Sequence, residues 1–227
     1  MSIAIFYSID EELKFIDIYL KNKNVVVLSN SRRATTGKLF GKKVILSKIG
    51  VSKKYMEENI RVIEEKFHIS SYWLIGFSGA VSKSLKLGNF IFPGVIKNEG
   101  AEDIKIEHGN SEHVLFTGDK VFYKHDKHLL KEKFQDVCAV DMEAYYFAKR
   151  HQKLGKKFYI VKTISDTSDF VMPDISIMIK YFRIPIWRMV FSNFKMAFLL
   201  FKIKGCFFIA SFFLARHVRE VMVRYEN

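Results

Sequence analysis

The chain has 227 residues, of which 49% are hydrophobic, so it can fold as one large domain or two small ones and is not a disordered chain. Its 37 Lys and Arg residues against 24 Asp and Glu give a formal net charge of +13, a bias common in proteins that meet nucleic acid, anionic lipid or phosphorylated ligands. Cys138 and Cys206 lie far apart and match no zinc or redox spacing, which argues against a disulfide framework and favours a reducing cytoplasm. The first residues carry no basic segment or cleavage site, so we expect a mature N-terminus.

Apolar, β-branched segments alternate with longer helical patterns through residues 1–170, which we interpret as one domain. The predicted strands are "IAIFYS", "NVVVLS", "KVILSKIG", "YWLIGFSGAV", "KLGNFIFPGVI", "HVLFTGD", "VCAVD" and "KFYIVKTIS". The predicted helices are "EELKFIDIYLK", "KKYMEENIRVIEEKF" and "MEAYYFAKRHQKL". This alternation indicates an α/β fold whose sheet is covered on both faces. We expect "GFSGAV" to be a small-residue loop at the end of its strand.

Residues 171–227 differ in character and are predicted to form a C-terminal extension of basic, aromatic helices. In helical register one aromatic face is formed by Phe191, Phe194, Phe198 and Phe201. A basic stripe beside it is formed by Arg188, Lys195 and Lys202. Lys202, Lys204 and Gly205 interrupt the apolar run, so a spanning helix is not expected. The extension is expected to pack on the domain, on a partner subunit or on an anionic membrane surface. Nucleic acid is not an expected partner.

Four short segments at the ends of predicted strands are candidates for chemistry: "SIDEEL", "GFSGAV", "DMEA" and "TISDTSD". Ligand crevices of open α/β sheets form at such strand ends. Each segment alone also fits a structural role, as a tight turn, an acidic first helical turn or an N-cap. The histidines show no metal-ligand spacing, and we expect no metal and no cofactor.

Together and in order, these segments resemble the nucleoside phosphorylase superfamily, and within it the methylthioadenosine/S-adenosylhomocysteine nucleosidases, over about residues 1–169. The resemblance rests on "IAIFYSIDEEL", "TGKLFGKKVILSKIGVSK", "GFSGAVSKSLKLGNFI", "TGDKVF", "AVDMEAYYFA" and "FYIVKTISDTSD". It implies a three-layer αβα sandwich around a central twisted mixed sheet, a homo-oligomer, and cleavage of the N-glycosidic bond of a purine nucleoside.

The resemblance assigns two catalytic carboxyl groups. The general acid that protonates the departing purine matches Asp166, which Ser165 is placed to orient, and the base that activates water matches Glu12. A carboxyl group held against an aromatic base in a dry pocket can donate a proton near neutral pH.

The resemblance also implies the substrate-binding residues. Glu143 would accept hydrogen bonds from the ribose hydroxyls and Met142 would pack on the sugar. Val121 and Phe122 fall where the family holds the base, and Phe77, Ser78 and Gly79 line the small-residue loop. Asp141 and Lys162 depart from the family's Glu and Arg, and Phe77 replaces a small or hydroxyl residue.

Acidic "IDEE" stands where bacterial purine phosphorylases have a phosphate-binding loop, so hydrolysis is favoured. Phosphorolysis remains an alternative because Arg32 and Arg33 could reach the site. The extension resembles the branch of the superfamily associated with hopanoid biosynthesis, which implies an adenosyl group carried on a polycyclic lipid. A third possibility is a nucleoside-binding protein without turnover. We expect a cytoplasmic protein that can bind the inner face of the membrane.

Overall fold

The computed structural model describes residues 2–28, 32–50, 53–171 and 194–226, without the side chains of residues 53, 54 and 194–197. The strands are β1 (Ser2–Tyr7), β2 (Lys21–Val27), β3 (Arg33–Leu39), β4 (Lys42–Lys48), β5 (Ile69–Ala80), β6 (Phe90–Ile91), β7 (Pro93–Asn98), β8 (Ile104–Lys105), β9 (Asn110–Thr117), β10 (Ala139–Asp141) and β11 (Phe158–Asp166). The α-helices are α1 (Ile16–Tyr19), α2 (Lys53–Lys66), α3 (Lys124–Lys133), α4 (Ala144–Lys153) and α5 (Phe194–Tyr225), and a 3-10 turn spans Asp10–Leu13.

All of these strands join one mixed sheet in the order β2-β3-β4-β1-β5-β10-β9-β7-β8, with β11 paired to β5 and β6. Strand β5 is parallel to β1 and β11 and antiparallel to β10. The central strands are apolar along most of their length, as expected for strands that are buried on both faces.

Alternate residues of the central strands enter two separate cores. Ala4 and Phe6 of β1 pack with the apolar residues of α2 and α4 on one face of the sheet. Ile3 and Ile5 pack with α1 and α5 on the other. Helices therefore cover both faces, and the predicted αβα fold with a mixed sheet is confirmed.

Several predicted elements differ in detail from the structure. The helix predicted in "EELKFIDIYLK" is two short pieces, because the chain enters β2 directly after Leu20. The loop predicted in "GFSGAV" is wrong, because β5 continues through Ala80 and pairs with β11 and β10 there. "KLGNFIFPGVI" forms two strands, β6 and β7, separated by Phe92. Strand β3 and helix α3 were not predicted.

Helix α5 packs one face against the sheet and exposes aromatic residues on the other. The segment Phe198–Tyr225 is long and apolar enough to cross a membrane, with a mean hydropathy of 1.9, but 33% of that window is buried inside the protein. Its buried residues include Leu214, Val218 and Met222, which belong to the core beneath β1. Its exposed residues include Phe198, Phe201, Phe208 and Phe212. Of the predicted face and stripe, Arg188, Phe191 and the side chains of Phe194 and Lys195 lie outside the described residues.

Candidate active site

Three chain segments, at the C-terminal ends of β1, β10 and β11, bring four acidic side chains together beside β5. Glu12 lies in the 3-10 turn that follows β1, and Glu143 lies just beyond β10. Asp141 ends β10, and Asp166 ends β11. All four carboxyl groups belong to buried residues, in the crevice position that open α/β sheets use for ligands.

Glu12 is held by three backbone N–H groups. Its Oε2 accepts hydrogen bonds from the amides of Ser8 at 2.7 Å and Ile9 at 3.1 Å, and its Oε1 accepts one from Phe77 at 2.9 Å. Burial raises the pKa of Glu12, against the opposing effects of the Lys162 charge and these amides. A carboxylate with a raised pKa is a stronger base, which suits a group that must take a proton from water.

The contact between Glu12 and β5 requires a glycine in the strand. A Cβ at Gly76 would lie 2.9 Å from Glu12 Cδ and closer still to Oε1. The next residue, Phe77, holds Glu12 through its backbone amide, so the unexpected phenylalanine side chain does not affect this hydrogen bond. Its ring instead contacts Phe207 of α5, with 5.3 Å between ring centroids.

Lys162 is a buried cation surrounded by acidic groups. Its Nζ lies 2.9 Å from Asp141 Oδ2 and 3.6 Å from Glu143 Oε2, and the Lys162 and Asp141 side chains are each only 1% exposed. Burial would lower the pKa of Lys162, but the charges of Asp141, Glu143 and Glu12 raise it instead. Lys162 therefore stays charged and holds the acidic groups together.

Asp141 is bound into the scaffold by contacts other than the lysine. Its Oδ1 accepts a hydrogen bond from Thr117 Oγ1 at 2.7 Å, and its Oδ2 accepts one from the Ala144 amide at 3.0 Å at the start of α4. These contacts make Asp141 a structural counter-ion of Lys162. Its predicted place among the substrate-binding residues remains a prediction.

Glu143 lies beside Lys162, with 3.6 Å between its Oε2 and Lys162 Nζ. Burial raises its pKa to about 7, Lys162 opposes this, and the charges of Asp141 and Glu12 add to it. Near neutral pH the group can therefore exchange between an acceptor and a donor of hydrogen bonds.

Asp166 lies at the other end of the site with two side-chain partners. Ser165 Oγ donates a hydrogen bond to its Oδ1 at 2.8 Å. Lys127 Nζ contacts its Oδ2 and also donates to the Thr167 carbonyl at 3.2 Å. A Cβ at Gly79 would lie 3.0 Å from both Asp166 Oδ2 and Lys127 Nζ, so a residue with a side chain would crowd this contact.

Lys127 is the site residue that sequence reasoning missed. It lies on α3, four residues after the N-cap Tyr123 and three before the buried Leu130. Lys127 falls in the same register, so its side chain lies on the buried face, where only 3% of it is exposed. A lysine in the apolar register of a helix was the available signal.

The other predicted residues lie around these carboxyl groups. Val121 and Phe122 lie between β9 and α3, and the Phe122 ring contacts Phe116 edge to face with 5.8 Å between centroids. Met142 separates Asp141 from Glu143 and is half-buried. Ser78 Oγ is buried and has no hydrogen-bond partner in the described structure.

Two further groups bear on the chemistry. Arg32, a candidate for binding phosphate, forms an ion pair with Glu58 at 2.7 Å. Among the described residues, His, Cys, Asp and Glu side chains form no group of three that could hold a metal ion.

Comparisons with known proteins identify similar chains. No protein-family model matches this one. A methylthioadenosine/S-adenosylhomocysteine nucleosidase of Buchnera aphidicola is 26% identical over 76% of this chain and 81% of its own length.

Solved structures are similar over nearly the whole chain. A methylthioadenosine/S-adenosylhomocysteine nucleosidase of Borrelia burgdorferi bound to adenine superimposes with a TM-score of 0.76 and 18% identity, covering 98% of this chain and 99% of its own. A futalosine hydrolase of Helicobacter pylori gives a TM-score of 0.73 at 16% identity, covering 99% and 98%. At these identities the structural likeness establishes the fold.

Proposed function

We propose that the chain is a purine nucleosidase of the nucleoside phosphorylase superfamily, on the basis of its similarity to methylthioadenosine/S-adenosylhomocysteine nucleosidases. It hydrolyses the N-glycosidic bond of a 5′-substituted adenosine and releases adenine. Relatives with this name, and the adenine-bound structure among them, support the substrate class.

The main structural support is the placement of two buried carboxyl groups along one segment of β5. Glu12 accepts a hydrogen bond from the amide of Phe77, and Asp166 lies against Gly79. Residues 77 and 79 are two positions apart, or about 7 Å along a strand. Glu12 and Asp166 can therefore act at opposite ends of one nucleoside, with the sugar nearer Glu12 and the base nearer Asp166.

This placement accounts for hydrolysis in a single displacement. Glu12 takes a proton from a water molecule whose oxygen bonds to C1′ of the ribose. The C1′–N9 bond breaks, its electron pair passes to the purine, and the base is neutralised by a proton delivered at Asp166. Glu143 accepts hydrogen bonds from the ribose hydroxyls, and Met142 packs on the sugar. Val121 and Phe122 hold the base, and Ser78 Oγ is free to donate to the substrate.

Water is favoured over phosphate as the attacking group. Glu12, Asp141 and Glu143 give the sugar side of the site three carboxyl groups against the one ammonium of Lys162, and such a group of acids repels a phosphate dianion. Arg32 pairs with Glu58 through Nη2, so this part of its guanidinium group is already occupied.

Helix α5 suggests what the 5′-substituent is. Ser211 Oγ donates to the carbonyl of Glu11, next to the proposed base, and Phe207 contacts Phe77. The helix thus runs from the site to an exposed face that includes Phe198 and Phe201. We propose that this face lies on the anionic inner surface of the cytoplasmic membrane. We further propose that the substrate is an adenosyl group on a lipid such as adenosylhopane. The active form is expected to be a homo-oligomer, as the family resemblance implies.

The test is release of free base from a panel of adenosines with different 5′-substituents. The wild-type protein should release adenine, and Asp166→Asn should abolish release while leaving the circular dichroism spectrum and melting temperature close to wild type. A folded Asp166→Asn variant with full activity would refute the role of Asp166. A wild-type protein that binds these nucleosides without turnover would be a binding protein instead.

A further inference from the structure

We propose that Lys127 supplies the proton that Asp166 passes to the departing purine, so that the acid of this enzyme is a lysine and aspartate pair. This inference rests on the proposed nucleosidase function and adds a residue outside the motifs that carry the family resemblance. The supporting observation is the direct contact between Lys127 Nζ and Asp166 Oδ2.

The contact is enclosed by protein on several sides. The Lys127 side chain is 3% exposed and that of Asp166 is 10% exposed. Ser165 Oγ holds the other carboxylate oxygen at 2.8 Å, and the Thr167 carbonyl accepts a second hydrogen bond from Lys127 Nζ at 3.2 Å. Gly79 leaves the space that both groups occupy. The geometry therefore fixes one N–H of Lys127 on the oxygen that would carry the acidic proton.

The chemistry of the pair explains why this arrangement suits an acid. An ionised carboxylate, as in this ion pair, has no proton to give, whereas a lysine ammonium has three. In a dry site an ammonium and a carboxylate can exchange a proton and become a neutral pair without separating charge. A purine bound against Asp166 removes the remaining water and favours that exchange.

The proton transfers balance over one turnover. Lys127 passes a proton to Asp166 and becomes an amine, and Asp166 passes its proton to N7 as the C1′–N9 electron pair moves onto the base. Glu12 gains the proton of the attacking water, whose oxygen bonds to C1′. After the products leave, solvent returns a proton to Lys127 and takes one from Glu12.

Other charged groups lie near Lys127 and Asp166, and their ionisation can also contribute to the pH dependence of activity. A cavity of about 290 Å³ adjoins Lys127 and is also lined by Lys83, His128 and Lys131. Lys124 pairs with Asp169 at 3.6 Å. Cys206 of α5 lies near enough to interact electrostatically with both Asp166 and Lys202. None of the described groups other than Asp166 forms an ion pair with Lys127.

Two substitutions separate proton supply from simple charge balance. Lys127→Arg keeps the positive charge beside Asp166, but a guanidinium does not lose its proton in proteins. If Lys127 supplies the proton, this variant should lose at least about 100-fold in kcat at pH 7.5. Lys127→Met removes the proton source, so only protein that already carries a proton on Asp166 can react, and its activity should fall with rising pH in the range where that of the wild type does not.

The experiment measures adenine release from 5′-methylthioadenosine between pH 5 and 9.5 for the wild type, both variants and Lys131→Met. Lys131 lies one turn further along α3 and donates to the Gln135 and Val137 carbonyls, so its variant should keep the wild-type pH profile. Melting temperatures identify variants that lose activity by unfolding. The wild type itself should remain active at pH 9, which tests the inference even if a variant fails to fold.

Three results would overturn the inference: a folded Lys127→Arg variant within threefold of the wild-type kcat, a Lys127→Met variant with the wild-type pH profile, or a wild type inactive above pH 7. Absence of base release by the wild type at every pH would instead refute the proposed nucleosidase function. The two failures are therefore distinguishable.

Discussion

Lys162 Nζ lies 2.9 Å from Asp141 Oδ2 in the interior of the protein, so the two positions that depart from the expected Glu and Arg of the nucleosidase resemblance contact each other. Both residues are shorter than the ones they replace, and the ion pair they form is enclosed on every side. The two departures therefore form one structural unit.

Replacing Lys162 should destabilise the protein strongly. Lys162→Met leaves Asp141, Glu143 and Glu12 buried without their cation, which should cost about 3–5 kcal/mol in the free energy of unfolding measured by urea denaturation. Lys157→Met is the control, because Lys157 immediately precedes β11 and also forms an ion pair, with Glu226 at 3.6 Å. Its side chain, however, is 45% exposed. That control should change stability by less than about 1 kcal/mol.

A second substitution tests whether Asp141 is the main partner. The double variant Lys162→Met/Asp141→Asn removes both charges of the pair and should be less destabilised than the sum of the two single variants. Additive effects would contradict the proposed coupling.

Gly76→Ala should reduce catalysis by displacing Glu12. The new Cβ would overlap the Glu12 carboxyl group, so we expect a loss of about 100-fold in kcat. Gly205→Ala is the control, since a Cβ there meets nothing within 4 Å and alanine favours a helix by about 1 kcal/mol. It should keep full activity and raise the melting temperature slightly. Equal activity of the two variants would show that the position of Glu12 is unimportant.

Substrate affinity should depend on the ionisation of Glu143. Its pKa is raised to about 7 by burial, so its carboxylate gains a proton as the pH falls below about 7 and can no longer accept from both ribose hydroxyls. KM should rise about tenfold per pH unit on that side. Glu143→Gln should raise KM at neutral pH and remove this dependence, while a KM of the wild type that is constant from pH 5 to 8 would contradict the role.

The same shift predicts the effect of Glu143 on stability. The unfolded group titrates near its ordinary pKa of 4.5 and the folded group near 7, so the folded state binds more protons between these values. The contribution of Glu143 to stability is therefore complete below pH 4.5 and is lost as the pH rises through about 7. Glu143→Gln should flatten this part of the stability profile in urea denaturation.

The exposed face of α5 should bind anionic vesicles. Deleting the helix would open the core, since Leu214, Val218 and Met222 are buried in it, so point substitutions are the better test. Phe198→Ser/Phe201→Ser should lower partitioning into phosphatidylglycerol vesicles at least about tenfold. The control Leu129→Ser/Leu154→Ser removes two exposed apolar residues elsewhere, 50% and 49% exposed, and should bind as the wild type does. Equal binding of both double variants would exclude the face as a membrane contact.

The sequence predicted the layers of the fold because apolar strands alternate with helical patterns in the first 170 residues. It did not predict that β5 continues through "GFSGAV", because small residues favour a loop locally and the pairing with β11 is formed by distant residues. Lys162 was recognised as unusual, but its contact with Asp141 depends on how β10 and β11 are placed. Lys127 was missed because helix α3 was not predicted, and its burial is indicated only by its register on that helix.

Product analysis tests the central claim most directly. The wild-type protein would be incubated with 5′-methylthioadenosine with and without inorganic phosphate, and the base and sugar products would be separated chromatographically. We predict free adenine and methylthioribose at a rate that phosphate does not change. A sugar 1-phosphate formed only with phosphate, or no release of base in either condition, would contradict the account.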